Sequence, residues 1–556
     1  MLTCGPLLCA PYSRRWPARC AAKGCEMIWH VVKKDFRLLW PLIALVALAQ
    51  AVSASLWVLL SPFGEPRGLA ILATLFSMAA ILGIVILIIT AVHQDPVPGI
   101  RQDWLVRPIP RRDLMLAKLA FILLMAHVPL FIADLAEGLG IGFSLSAAAS
   151  AAVSRGFSIL CLFSLPAAVF ATVTKNLTET LVGIIVAVVA CVVFMTFAQL
   201  LKALPPPIAG TGLTWMMAAQ WSALALIVAA LILPVQYLLR KTVLSRSLLA
   251  GAFVCSLLAI FLPWNIAFAL QQALGPKRGG GNAISLAFAP SDGKAHSNNS
   301  SVTAYKASVH LPLHFSGLPA GALLLMDYAD VRLLQADGHT LYQNRTYLSV
   351  DGAGSYFESR LGIMGKSEHG EAHTYQAIFL PARVYAQLKD QPVRMEVEYY
   401  FTLFRAGPVQ SIAALDGDQL IAGLGRCATR VDNDEDGIEL SCLNIAPIPS
   451  CMTISLEHTP TAQHNPVLQH CDPDYAPYAF AVIPDAIRRL RAEAPFLDRS
   501  GLAKYPVDGS RLSESRLNLT TYEPQDHFTR QLVIPEVRLS DWEALSEPVV
   551  NAKAGS

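Results

Sequence analysis

The chain has 556 residues, 54% of them hydrophobic and only 15% charged, with a mean hydropathy of +0.45. Ordinary soluble domains carry roughly a quarter charged residues, so a wholly water-soluble protein is excluded. A net charge of +2 names no partner by itself, and nucleic acid is not expected as one. Nearly all the long apolar runs lie before residue 275. The remainder, about 280 residues, is long enough for one large or two small soluble cores.

The first 26 residues, MLTCGPLLCAPYSRRWPARCAAKGCE, lack the apolar stretch of a secretory signal. Cys4, Cys9, Cys20 and Cys25 only loosely resemble zinc-ligand spacing, and no metal site is assigned. Residues 1–26 read as a disordered extension, or as sequence ahead of a start at Met27. In residues 27–37, Ile28, Val32 and Phe36 recur at helical spacing, while His30, Lys33, Lys34 and Arg37 lie off that stripe. This predicts an amphipathic helix on the membrane surface that turns into the first span.

A helix of ~20 apolar residues crosses a bilayer. Seven runs qualify: Leu38–Leu60, Leu69–Val92, Leu119–Phe143, Ala151–Val173, Thr180–Leu201, Trp215–Leu239 and Ser247–Leu270. Together they make a membrane domain over residues 38–270. Pro129, Pro166, Pro234 and Pro263 fall inside spans, where they predict local kinks that neighbouring helices tolerate. With the N-terminus inside, the inner segments hold twelve Lys and Arg and the outer loops only Arg67, Arg155 and Lys202. This bias predicts a cytoplasmic N-terminus. An odd number of spans then places the C-terminal region outside the cell membrane.

Between the second and third runs lies RQDWLVRPIPRRDLMLAK, residues 101–118. Pro96, Pro98 and Gly99 end the preceding span. Arg101–Arg107 can form two helical turns before Pro108 and Pro110, and Arg111 restarts a helix into the next span. The result is a short transverse helix presenting Trp104 among Arg101, Asp103 and Arg107. Aromatic and arginine side chains anchor protein interfaces; basic inner loops also serve simply to fix topology and meet anionic lipid. At the outer end of the third run, Asp134 and Glu137 lie on the same side as Arg155 and form a candidate interfacial ion pair.

Residues 271–300 read as a Gly- and Ser-rich linker. Residues 301–556 carry alternating runs: SVTAYKASVHLPLHF, ALLLMDYADVRLL, VRMEVEYYFTLF, GIELSCL and CMTISLEH. They predict antiparallel sheet in a sandwich, with one helix at Pro484–Ala494. The fold class expected is therefore an α-helical polytopic membrane domain of six or seven spans, followed by an all-β, sandwich-like extracytoplasmic domain. Four cysteines in that domain suit an oxidising compartment. Cys427 and Cys442 are equidistant from the turn Asp432–Gly437, which favours Cys427–Cys442 with Cys451–Cys471.

Catalytic motifs are missing. Gly365-Lys366-Ser367 lacks the earlier glycine of a P-loop, because position 360 is arginine. HGEAH at 369–373 misplaces its glutamate for a zinc protease. DNDEDG at 432–437 lacks the glutamate that closes a calcium loop, position 443 being leucine. No catalytic residue is expected, and no cofactor bound by this chain.

The stretch WHVVKKDFRLLW and the loop DPVPGIRQDWLVRPIPRRDLMLAK resemble the permease subunits of ABC-2-type transporters over about residues 27–270. In that family the first stretch is a connector helix, and the loop, here 94–118, carries a coupling helix that docks on a separate ATPase. The resemblance implies an exporter working as a homodimer or heterodimer of permeases. Asp103, Trp104, Arg107, Arg111 and Arg112 would face the partner ATPase, which holds ATP and magnesium. The chain departs from the family in its seventh apolar run and its large C-terminal domain. The alternative reading is a non-transporting membrane receptor or anchor with an extracytoplasmic binding domain.

Overall fold

The structure is a computed structural model. It describes residues 18–59, 67–95, 110–200, 214–259, 264–275, 279–294, 296–297, 306–347, 356–357, 363–364, 372–414, 417–421, 424–432, 437–445, 451–458, 463–464, 468–471, 487–495, 515–543 and 545–546.

The N-terminal half is helical. Helix α1 spans Ala18–Leu59, α2 Arg67–His93, α3 Arg111–Ile141, α4 Leu145–Val173, α5 Leu177–Leu200, α6 Thr214–Pro234 with a further turn at Val235–Leu239, α7 Thr242–Ala259 and α8 Trp264–Leu274. Six of these, α1 to α6, are long and apolar enough to cross a membrane. The segment 27–37 is not a separate surface helix that turns into the span. It is part of one uninterrupted 42-residue helix, within which Gly24 and Pro41 are both tolerated. That helix also takes in residues 18–26 of the expected extension.

Contacts between the helices fix which way each one runs. Lys34 of α1 meets Asp95 beyond the end of α2, whereas Ser53 bonds Ser77 of α2 at 2.7 Å, so these two helices are antiparallel. Lys118 of α3 meets Asp35, and Val58 lies against Gly140, so α3 runs parallel to α1. Asp95 and Pro110, which flank residues 96–109 in the sequence, therefore lie at one end of the bundle, and the α3–α4 turn closes the other. Helix α7 starts at the first of these ends, where Arg246 bonds the carbonyl of Val173. At 1.5 Å per residue its 18 residues cover about 27 Å. The described residues of the seventh apolar run fall in α7 and α8, which together take the chain from the loop end to the far end.

The C-terminal region is built of antiparallel sheets, and each of the alternating runs named above is a strand. Strands β1 (Ser285–Phe288), β2 (Lys306–Ser316), β3 (Leu323–Leu334), β4 (Thr340–Tyr347), β5 (Tyr356–Phe357), β6 (Ala372–Pro381), β7 (Val393–Ala413), β8 (Gly417–Ile421), β9 (Gly425–Asp432), β10 (Gly437–Ile445), β11 (Cys451–His458), β12 (Gln463–His464), β13 (Leu468–Cys471), β14 (Ile487–Pro495) and β15 (Ser515–Val537) follow in order. The central eight-stranded sheet includes β12-β11-β15-β7-β3-β4 in sequence. Against one half of it packs the sheet β1-β2-β6-β5, burying Val309, Leu311, Val397, Tyr399, Phe401 and Leu532. Against the other half packs β8-β9-β10-β14, burying Leu424, Leu440, Ile454 and Leu519. One sheet thus serves two sandwich cores.

Strands β7 and β15 are 21 and 23 residues long despite the prolines within them. Pro408 and Pro535 fall inside register shifts, and Pro524 stands at the edge of one. A bulge removes the need for the N–H that proline lacks. A Cβ at the neighbouring Gly407 would come within 3.1 Å of the Thr521 carbonyl, so glycine admits this close approach.

Two expectations are corrected. The predicted helix at Pro484–Ala494 is instead strand β14, paired along its length with β10. Sheet hydrogen bonding overrides the helix propensity of its Arg, Leu, Ala and Glu residues. The expected linker 271–300 holds the end of α8 and strand β1, whose Ser285–Phe288 pairs Leu313–Ser316. A short helix, α9 (Ala382–Leu388), interrupts the otherwise all-β region.

Candidate functional site

The most elaborate polar site in the bundle lies at the base of segment 96–109. Lys118 falls on the buried face of α3 with Leu114, Phe121 and Ile122, which recur at the helical period. An ammonium drawn out of water must find acceptors. Lys118 Nζ donates to Asp35 Oδ2 at 2.7 Å, to Asp95 Oδ2 at 2.7 Å and to the Ala91 carbonyl at 2.8 Å. Its three N–H donors thus match three acceptors. Lys34 adds a second cation, 2.8 and 2.9 Å from the Asp95 oxygens and 3.4 Å from Asp35 Oδ1. Burial would raise the Asp95 carboxyl, but the Lys118 and Lys34 ammonium groups outweigh it and hold the carboxyl below its usual range.

Two lysines thus balance two aspartates across three helices. The cluster joins α1 to both ends of segment 96–109. Sequence reasoning counted Lys34 and Lys118 only as topology charges and passed over Asp35 and Asp95. The available signal was Lys118 itself, a charge at a core position of α3.

Further polar contacts tie the same end together. Arg246 donates to Glu179 at 2.8 Å as well as to Val173. Glu179 accepts from the Lys175 amide and Asn176 caps the Glu179 amide. Thr174 joins Thr180 at 2.6 Å and His93 at 3.2 Å.

Asp103, Trp104 and Arg107 lie outside the described residues. Arg111 and Arg112 open α3 and are exposed. Arg111 donates to the Leu238 carbonyl at the end of α6 at 2.9 Å.

Pro129 and Pro166 are each preceded by a five-residue π-helical segment, Leu123–His127 and Leu160–Ser164, and Pro234 is followed by one at Val235–Leu239. Ahead of Pro129 and Pro166, widening the turn relieves the clash between the proline ring and the carbonyl four residues back. The first two of these segments meet, with His127 Nε2 3.0 Å from Ser164 Oγ. The sequence announced the prolines but not this contact.

At the far end Arg155 donates to Asp134 in a buried ion pair. Asp134 Oδ2 and Glu137 Oε1 are buried without a hydrogen-bond partner among the described residues. The site therefore carries two carboxylates to one guanidinium. It lies just below the α3–α4 turn, on which the β-rich region rests. Ile141, Phe143, Trp57 and Val58 pack with Leu443 of β10, and Arg426 of β9 donates to the Val58 carbonyl at 3.4 Å.

Cys427 and Cys442 face each other in the β9–β10 pair and form a disulfide. Cys451 and Cys471 are likewise opposite in register between β11 and β13; their side chains lie outside the described residues. So do Cys4, Cys9, the side chains of Cys20 and Cys25, and the tip of the DNDEDG turn. Among the described residues no group of three or more His, Cys, Asp or Glu could hold a metal. No protein-family model matches this chain, and no curated protein matches it.

Proposed function

We propose that the chain is the permease subunit of an ABC-type exporter, energised by a separate ATPase that docks on segment 96–109. In this reading the loop end of the bundle is cytoplasmic, and the β-rich domain lies outside the cell membrane at the mouth of the pathway. Two permeases, alike or related, complete the pathway.

One observation carries the reading. The buried Lys118–Asp35–Asp95–Lys34 cluster fastens the two ends of the basic segment to α1. A force on residues 101–107 then reaches α1, α2 and α3 through short charge-assisted bonds. Packed helices linked in this way move as bodies. Helix α3 continues from this cluster through its π-helical turn at Leu123–His127 to the far end, and the β9–β10 hairpin sits where it arrives. A displacement at the loop has a continuous mechanical route to the outer domain.

The test is purification of the full chain in mild detergent from its native membrane. A nucleotide-hydrolysing subunit is expected to co-purify and to be lost with Trp104→Ala/Arg107→Glu. Lys118→Met is expected to retain the subunit but to uncouple ATP hydrolysis from transport. Purification without any ATPase, or labelling of Trp104→Cys by an impermeant thiol reagent added outside intact cells, would overturn the reading in favour of a receptor or anchor.

A further inference from the structure

Helix α8 leaves the bundle and lies on the central sheet, on the face opposite the sandwich core. Phe268 packs edge-on against Tyr400 at 5.0 Å and against His527 at 6.3 Å. One turn on, Gln271 Nε2 is 3.4 Å from His527 Nδ1. That same Nδ1 is 2.9 Å from Thr402 Oγ1, which is 2.5 Å from Asp327 Oδ2. Gln271, His527, Thr402 and Asp327 are all buried, at 4%, 2%, 3% and 8% exposure. Four side chains from α8, β15, β7 and β3 thus form one dry chain of hydrogen bonds.

Counting protons decides how this chain is wired. Two bonds meet at the Thr402 oxygen, and its hydroxyl has one proton. The second proton comes either from Asp327, as a neutral carboxylic acid, or from His527 Nδ1. If Asp327 supplies it, Thr402 donates to Nδ1, and the single Nδ1 lone pair is shared between the Thr402 O–H at 2.9 Å and the Gln271 N–H at 3.4 Å. If Asp327 is ionised, Thr402 donates to the carboxylate and Nδ1–H donates to Thr402. Nδ1–H then faces the Gln271 amide N–H, donor against donor. Turning the amide over would replace an unpartnered carbonyl, Oε1, by an amide NH2 with two unpartnered donors at the same buried position, where no partner stands among the described residues.

We propose that Asp327, Thr402, His527 and Gln271 form a proton-set clasp: a neutral Asp327 holds α8 to the sheet, and its ionisation releases Gln271. This inference is independent of the transport reading.

The surroundings agree. Burial pushes the Asp327 carboxyl up to about 7, against the pull of the Thr402 hydrogen bond, and pushes the His527 imidazole down to about 4, with Asp526 acting against it. No cation pairs with Asp327 among the described residues. Asp526 is held away by the Gly281 amide at 3.1 Å. Arg530 is committed to the Ile284 carbonyl at 2.7 Å and to that of Gly281, and lies over Phe528. Tyr400 is pushed up to about 12 by burial, Glu398 and Asp330, and stays protonated. Around neutrality Asp327 is the group that changes charge.

The sign follows from linkage. A carboxyl raised in the folded state contributes stability that is present below its ordinary pKa and lost as pH rises through about 7. Histidine, depressed to about 4, acts in the opposite sense only below about 6.5.

The test is hydrogen exchange of residues 264–274 in the full chain between pH 5.5 and 8.5, corrected for intrinsic exchange, with Asp327→Asn as the neutral mimic and Thr402→Val as the broken relay. Wild-type protection of α8 is expected to fall at least threefold across neutrality. Asp327→Asn should keep it at both ends, with a Tm that exceeds wild type at pH 5.5 and exceeds it further at pH 8.5. Thr402→Val should give a pH-independent protection. Wild-type protection that does not change with pH, or a change that persists in Asp327→Asn, overturns the proposal. If a variant does not fold, the wild-type profile alone decides.

Discussion

At one end of the helical bundle Lys118 meets Asp35, Asp95 and the Ala91 carbonyl. At the other, Trp57, Val58, Ile141 and Phe143 meet Leu443 through apolar contact. The loop end is held by directional, charge-assisted bonds with a fixed set of partners, so it has few stable arrangements. The far end is held by contact area, which tolerates sliding, and by a hairpin made rigid by Cys427–Cys442. A rigid grip at the loop and a compliant seat at the hairpin suit a molecule in which movement starts at one end and is expressed at the other. The buried charges differ as well. The loop end balances two acids with two bases. Among the described residues the far end sets Asp134 and Glu137 against Arg155.

Breaking the balanced end should cost most. Lys118→Met leaves Asp35 and Asp95 buried and short of one cation, and is expected to lower stability by about 5 kcal/mol. The triple change with Asp35→Asn and Asp95→Asn should recover most of that. Thermal unfolding in detergent reads both, and an equal loss in single and triple variants would break the comparison.

At the far end, Cys427→Ser/Cys442→Ser should remove about 3 kcal/mol for a loop of this length and free the hairpin seat. Chemical unfolding and protease cutting between β9 and β10 measure it. Arg155→Ala should cost about 3 kcal/mol by stranding Asp134, and Asp134→Arg/Arg155→Asp should restore part of it. No restoration would count against a specific pair. The smallest effect is the most telling. Glu137→Gln removes the surplus carboxylate and should raise stability by about 1 kcal/mol, whereas a balanced site would lose stability.

Some of this was legible in the residues. Runs of twenty apolar side chains mark helices because lipid leaves backbone groups no other partner, and the strands of the β-rich region follow from period-two alternation. The facing of Cys427 and Cys442 follows from equal distance to one turn. The docking of α8 on the central sheet was not legible, because hydropathy alone does not separate a buried apolar helix from a span. Nor was β14, whose IRRLRAEA carries good helix formers; its backbone groups are satisfied by β10, far away in sequence.

The site divides in the same way. The sequence by itself determined that this chain has an apolar helical half and an alternating, cysteine-bearing β half, because local periodicity reflects the environment on each side of a backbone. It also marked the basic segment between two spans. Only the tertiary structure decided that Lys118 satisfies Asp35 and Asp95, that His127 reaches Ser164, and that Asp327 shares one chain of protons with Gln271. Those partners lie 23 to 83, 37 and 56 positions apart. No local pattern specifies such pairings. They exist because a polar group buried by the packing of its own helix or strand must take whichever partner the fold brings within reach.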